Sequence, residues 1–140
     1  MIAKTETSPG FRRLGRTVNT EYALAADDVM VVIPDAGLKD DEASARANIE
    51  FQQGYATRIG RRCAVVVLLS RLLSQDAGAR RVYAQGMDPA LFFASALVVS
   101  NPLSRAMGSF FLGLTRPRTP TRLFDTVEAA LAWVESLRPA

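Results

Sequence analysis

The chain has no histidine, and Cys63 is its only cysteine. Without imidazole there is no Ser-His-Asp or Cys-His relay, no histidine metal site, and none of the commonest general base. A lone cysteine excludes an internal disulfide and a cysteine-rich zinc site. Its place at the head of an aliphatic run reads as a buried, inert thiol. Lysine is nearly missing as well: Lys4 and Lys39 stand alone, in a tail and a loop, and the other 15 of the 17 basic residues are arginine. Long apolar runs are also absent. The longest, Cys63 to Leu69, falls far short of the ~20 residues that cross a bilayer. The start, MIAKTETSPG, lacks a hydrophobic signal core. The net charge is only +3, and the basic residues are not interleaved with aromatics as in a nucleic-acid binder. These absences lead to the expectation of a cytoplasmic, non-enzymatic protein that spans no membrane and binds no nucleic acid, metal or cofactor.

At 140 residues, with 49% apolar and 22% charged side chains, the chain suits one globular domain with a sizeable core. Residues 1–16 are polar and without period, and read as a flexible tail before a domain over 17–140. Glu21 to Ala26 and Val29 to Pro34 read as two strands of an antiparallel hairpin turning at Asp27-Asp28. From Asp40 to about Arg58, Ala43, Ala47, Phe51, Tyr55 and Ile59 recur every four residues beside Ile49, giving one apolar helical stripe. Cys63 to Leu69 is a buried strand. Ser74 is the expected N-cap of a helix ending near Gly86.

The stretch Ala94 to Leu114, ASALVVSNPLSRAMGSFFLGL, organises the rest. An uncharged strand runs into a helix at Asn101-Pro102, where Asn101 caps and Pro102 takes the first helical position. Leu103, Met107, Phe110, Phe111 and Leu114 give its apolar stripe, leaving Ser104, Arg105 and Ser109 for the other face. Gly108 and Gly113 each weaken the helix by about 1 kcal/mol against alanine, which points to close approach of another backbone or side chain. Thr121 to Phe124 is a last short strand, and Asp125-Thr-Val-Glu128 a capping box opening the final helix. Its stripe is Val127, Ala130, Leu131, Val134 and Leu137, with Trp133 to one side. The order β-β-α-β-α-β-α-β-α predicts an α/β fold: a mixed, mostly parallel sheet of about five strands with four helices.

That order, with the block SNPLSRAMGSFF and the ending PTRLFDTVEAALAWV, resembles the STAS or SpoIIAA-like (anti-sigma-factor antagonist-like) superfamily. It is most similar to small bacterial STAS/SEC14-like proteins of unassigned function, over about residues 20 to 138. The resemblance implies a non-enzymatic regulatory module, often a homodimer, whose partner is an anti-sigma factor or a kinase. In the antagonists a serine or threonine after the central strand is phosphorylated. Here the corresponding residues are Ser74 and, second, Ser70, although leucines stand where the family's aspartate-serine pair would be.

Two binding surfaces follow from the residues. Phe92, Phe93, Leu103, Met107, Phe110 and Phe111 are the candidates for a protein interface, or alternatively for a pocket holding a small apolar or anionic, lipid-like ligand. Arg105, Arg116, Arg118 and Arg122, in a stretch free of acids between Asp88 and Asp125, are candidates for an anion-binding rim.

Overall fold

The structure, a computed structural model, describes residues 11–115 and 117–138. In chain order the strands are β1 (Arg12–Arg16), β2 (Thr20–Ala26), β3 (Val29–Pro34), β4 (Leu38–Asp40), β5 (Cys63–Leu68), β6 (Leu72–Gln75), β7 (Phe92–Val98) and β8 (Thr121–Phe124). The helices are α1 (Glu42–Ile59), α2 (Ala77–Gly86), α3 (Pro102–Thr115) and α4 (Val127–Leu137), with a single 3-10 turn at Leu69–Arg71.

Six strands make the main sheet in the order β1-β2-β3-β5-β7-β8. The aliphatic strands β3, β5, β7 and β8 run parallel, while β1 and β2 extend the sheet antiparallel at one edge. β3 and β7 are buried along their whole length and β5 nearly so, as expected of strands covered on both faces. The expected hairpin, central strands and four helices are all present, and the fold class is as read from the sequence.

α1 and α2 cover one face of the sheet, burying Tyr22, Met30, Val32, Val65 and Phe92. On the other face α4 packs Ala130 and Val134 against Ala64, Val66, Ala94 and Ala96. α3 closes the end of the first layer, where Phe111 meets Leu69, Leu72, Leu97 and Val99. α1 and α2 cross closely: a Cβ on Gly86 would come within 2.2 Å of Ile49 Cγ1. Among the described residues no helix is long and apolar enough to cross a membrane.

Several elements depart from expectation. Arg12–Arg16, assigned to the tail, is the edge strand β1; Arg13 and Arg16 pair with Glu21 on β2 and Arg12 with Asp27. A charged edge strand is how sheets commonly avoid pairing with other chains. The buried face of α1 is Ala45, Asn48, Ile49, Gln52, Tyr55 and Ala56, with Ala43 exposed. The apolar stripe misplaced this face because two polar residues, Asn48 and Gln52, turn toward the sheet to meet the Tyr22 hydroxyl. The final helix is capped by Thr126, which accepts from Ala129 N at 3.1 Å, rather than by Asp125. Asp125 pairs instead with Arg105. Leu137 is 37% exposed, outside the buried stripe.

Candidate functional site

Two places on the layer formed by α2, α3 and β6 carry features that packing alone does not require. One is an outer groove, the other an interior cavity.

The groove begins with the phase of α3. Asn101 caps it as expected, accepting from Ser104 N at 2.8 Å, while the Ser104 hydroxyl takes the Asn101 N–H and donates back to the Asn101 carbonyl. A hydroxyl satisfied within its own cap can be buried at little cost, and Ser104 is fully buried. Gly108, one turn on, lies against β8 and the end of β7: a Cβ there would stand 2.8 Å from Leu123 Cδ2 and 3.2 Å from Val99 Cγ1. Small residues therefore face the sheet, and the larger apolar ones are rotated outward. Phe111 is buried, whereas Leu103 is 49% and Phe110 52% exposed. Gly113 has nothing within 4 Å of an added Cβ.

Ser74 meets this face. It is not a helix N-cap: it lies exposed in β6, paired in register with Lys39 of β4, and Asp76 caps α2 by accepting from Ala79 N at 2.9 Å. β6 runs beside α3, so Leu73, Ser74, Gln75 and Arg80 line one side of a groove of about 270 Å³ and Leu103, Met107 and Phe110 the other. The Arg80 guanidinium sits 4.7 Å from the centre of the Phe110 ring and donates to the Gln75 carbonyl. Ser70 lies in the 3-10 turn, where its carbonyl accepts from Asn101 Nδ2 at 3.1 Å.

The other named residues do not gather here. Phe92 and Phe93 are core residues on opposite faces of the sheet. Arg105 is paired with Asp125 and Arg118 lies 3.6 Å from Asp88, so the two acids bounding the acid-free stretch fold back onto its arginines. Arg122 stacks at 5.5 Å on Phe124. Arg116 lies outside the described residues.

The cavity, of about 60 Å³, lies between the sheet and the inner sides of α1, α2 and α3. Val32, Val65, Val67, Leu69, Leu72, Leu97 and Phe111 give it apolar walls, and Asp40, Gln52, Gln75, Tyr83 and Ser95 add polar groups. Of the residues named for the aromatic pocket, Phe111 alone lines it. Asp40, expected in the first turn of a helix, instead ends β4 and is only 4% exposed. Its carboxylate accepts from Ser44 Oγ at 2.5 Å and from the Tyr83 hydroxyl at 2.9 Å. Burial raises its pKa, only partly offset by hydrogen bonds from Ser44, Tyr83 and Gln75, and the neighbouring Asp41 pushes the same way. Burial likewise raises the pKa of Tyr83, so its hydroxyl stays protonated and donates. Gln52 spends its amide N–H on the Tyr22 hydroxyl at 3.0 Å, and that hydroxyl in turn donates to Asn48 Oδ1 at 2.8 Å. Gln52, Tyr83 and Ser95 were missed by the sequence reading. The available signal was Asn48 and Gln52, amides at helical spacing beside Ile49 and Tyr55.

Among solved structures the chain is similar to the Bacillus cell fate determinant SpoIIAA in its phosphorylated form, at 14% identity and a TM-score of 0.54, covering 82% of this chain and 98% of that one. The anti-sigma factor antagonist SpoIIAA in its unphosphorylated form gives 11% identity and a TM-score of 0.55, over 83% and 97%. An uncharacterized DUF3478-family protein with a SpoIIAA-like fold from Shewanella loihica PV-4 gives 12% and 0.50, over 91% and 97%. The fold is SpoIIAA-like. No curated protein matches the chain in sequence. A family model described as "Domain of unknown function (DUF7793)" matches residues 25–138.

Proposed function

Since the chain belongs to the DUF7793 family, we propose that it is a non-enzymatic regulatory module that docks a protein chain on the β6–α3 groove. The docked chain is a second copy of itself or a heterologous regulator of the anti-sigma-factor or kinase type. The observation that supports this most is the clustering of exposed apolar side chains. Leu73, Leu103 and Phe110, three of the five large apolar residues left exposed among the described residues, line one groove together with Ser74. Scattered exposed leucines need no explanation, but a contiguous apolar patch with a polar margin suits a protein interface. The SpoIIAA-like fold supports the regulatory class, and the solved SpoIIAA structures include a phosphorylated form.

In this reading Ser74 is the regulated hydroxyl and Ser70 the second choice. A phosphate on Ser74 would add close to two negative charges in the middle of the apolar patch, within a groove that Arg80 also lines. The α2 N-terminus is already capped by Asp76, so the modification would act by repelling an apolar partner and recruiting Arg80, not by capping a helix.

Phe110→Asp and Leu73→Asp place a charge on the patch at positions already half exposed. Each should leave folding stability within about 0.5 kcal/mol and weaken association at least tenfold. Light scattering against concentration reads the self-association, and affinity capture with a phosphomimetic Ser74→Glu comparison reads a heterologous partner. Unchanged mass and unchanged capture in folded Phe110→Asp protein would overturn the proposal.

A further inference from the structure

The interior cavity holds chemistry that the interaction face does not use. Asp40 is buried and lines the cavity, yet the hydrogen bonds it takes among the described residues come from the uncharged groups Ser44, Tyr83 and Gln75. No arginine or lysine among the described residues lines the cavity. The one other described acid as little exposed, Asp28, has two cations, Arg61 and Arg138. A buried carboxylate without a counter-charge is expensive to keep. Two further polar groups border the same space. The Gln52 side-chain amide and the Ser95 hydroxyl line it, and both residues are under a tenth exposed.

We propose that this cavity is a binding site for a small aliphatic primary ammonium compound, with the alkyl body against Val65, Leu97 and Phe111 and the ammonium directed to Asp40. The ammonium has three donors and no acceptor, and the polar groups offered are the Asp40 carboxylate, the Gln52 carbonyl and the Ser95 oxygen. The volume of about 60 Å³ exceeds the ~10–15 Å³ that one water needs and falls well below the ~300 Å³ at which drug-sized pockets begin. A branched chain of a few carbons fits that range. An anion does not suit the site, because it would face the Asp40 carboxylate. The site shares Gln75 with the β6–α3 groove but none of the residues assigned to the ammonium or its alkyl body, so either can fail without the other.

The test is titration of the full-length protein with three probes of matched shape, 3-methylbutylamine, 3-methylbutanol and 3-methylbutanoate, followed by 1H–15N NMR and thermal unfolding. The amine should bind roughly tenfold tighter than the alcohol, shift the resonances of Gln52, Tyr83 and Ser95, and raise the melting temperature. The carboxylate should do neither. Asp40→Asn should erase the preference for amine over alcohol, while Phe110→Asp should leave it intact. Binding of the carboxylate as tightly as the amine would overturn the proposal. So would an amine preference that survives Asp40→Asn, or amine-induced shifts confined to residues away from the cavity. If Asp40→Asn does not fold, Ser95→Ala and the wild-type shift map decide the question in the same terms.

Discussion

Asp28 and Asp40 are equally buried, each 4% exposed, and they titrate in opposite directions. Asp28 sits in the β2–β3 turn. Burial pushes its carboxyl up, but the hydrogen bonds and charges of Arg138 and Arg61 outweigh that and hold it below the usual aspartate range. Its Oδ2 takes Arg61 Nη2 at 2.9 Å and also Arg138 Nη1. Asp40 meets its desolvation with hydroxyl and amide donors, and its carboxyl is left above the ordinary range. What a buried acid costs therefore depends on the charge of what reaches it. An acid with two arginines belongs to the architecture. An acid kept among neutral donors beside a cavity is a standing expense that packing does not explain.

The largest expected effect tests the first half of that contrast. Asp28→Ala removes a paired buried acid and should cost about 2–4 kcal/mol at neutral pH, somewhat relieved because Arg61 is half exposed. The sign with pH follows from the lowered folded pKa. Asp28 contributes stability that is fully present above its unfolded pKa and is lost as pH falls through its folded pKa. The wild-type and Asp28→Ala denaturation curves should therefore converge in acid. Curves that stay parallel down to pH 3 would show that the ion pairs do not stabilise the fold.

Asp40→Asn is next, with the opposite sign. Because its folded pKa is raised, ionisation of Asp40 removes stability as pH rises through the window between the unfolded and folded values. The amide should thus match or exceed wild type at neutral pH, by about 0.5–1 kcal/mol, with the gap closing on acidification. A loss of more than 1 kcal/mol at pH 7 would place Asp40 with Asp28 as a structural acid and end the contrast. The smallest effect is Tyr83→Phe. It takes away the hydrogen bond on Asp40 Oδ2 and should cost about 1 kcal/mol, but only where Asp40 is ionised. An equal cost at all pH values would mean that the hydroxyl matters through packing.

Much of this was legible in the sequence. Cys63 to Leu69 and Ala94 to Val99 are too aliphatic to be anything but covered strands, and Asn101-Pro102 marks the start of α3 to the residue. The rest depended on partners distant in sequence. β4 and β6 are short, polar-tipped segments that form a sheet only because they meet each other, so Asp40 read as helix and Ser74 as a cap. Asp28 read only as a turn residue because Arg61 and Arg138 lie 33 and 110 positions away. The outward turn of Leu103 and Phe110 was hidden for another reason: helical periodicity ranks faces by apolarity, and here the close contact at Gly108 reserved the inner face for small residues. Leu103 and Phe110 were nonetheless named among the candidate interface residues. Asn101 and Ser104 show the reverse case, where the cap chemistry alone explains why a serine can be buried.

The Asp28–Arg138 clasp has a consequence for biosynthesis. A ribosome delivers the hairpin turn 110 positions before Arg138, at roughly 5–20 residues per second. For several seconds the nascent sheet carries a desolvating carboxylate with Arg61 as its only counter-ion from this pair. The hairpin edge therefore has reason to stay loose until α4 emerges and packs. The clasp makes arrival of α4 and Arg138, rather than formation of the β-hairpin, the event that locks the domain.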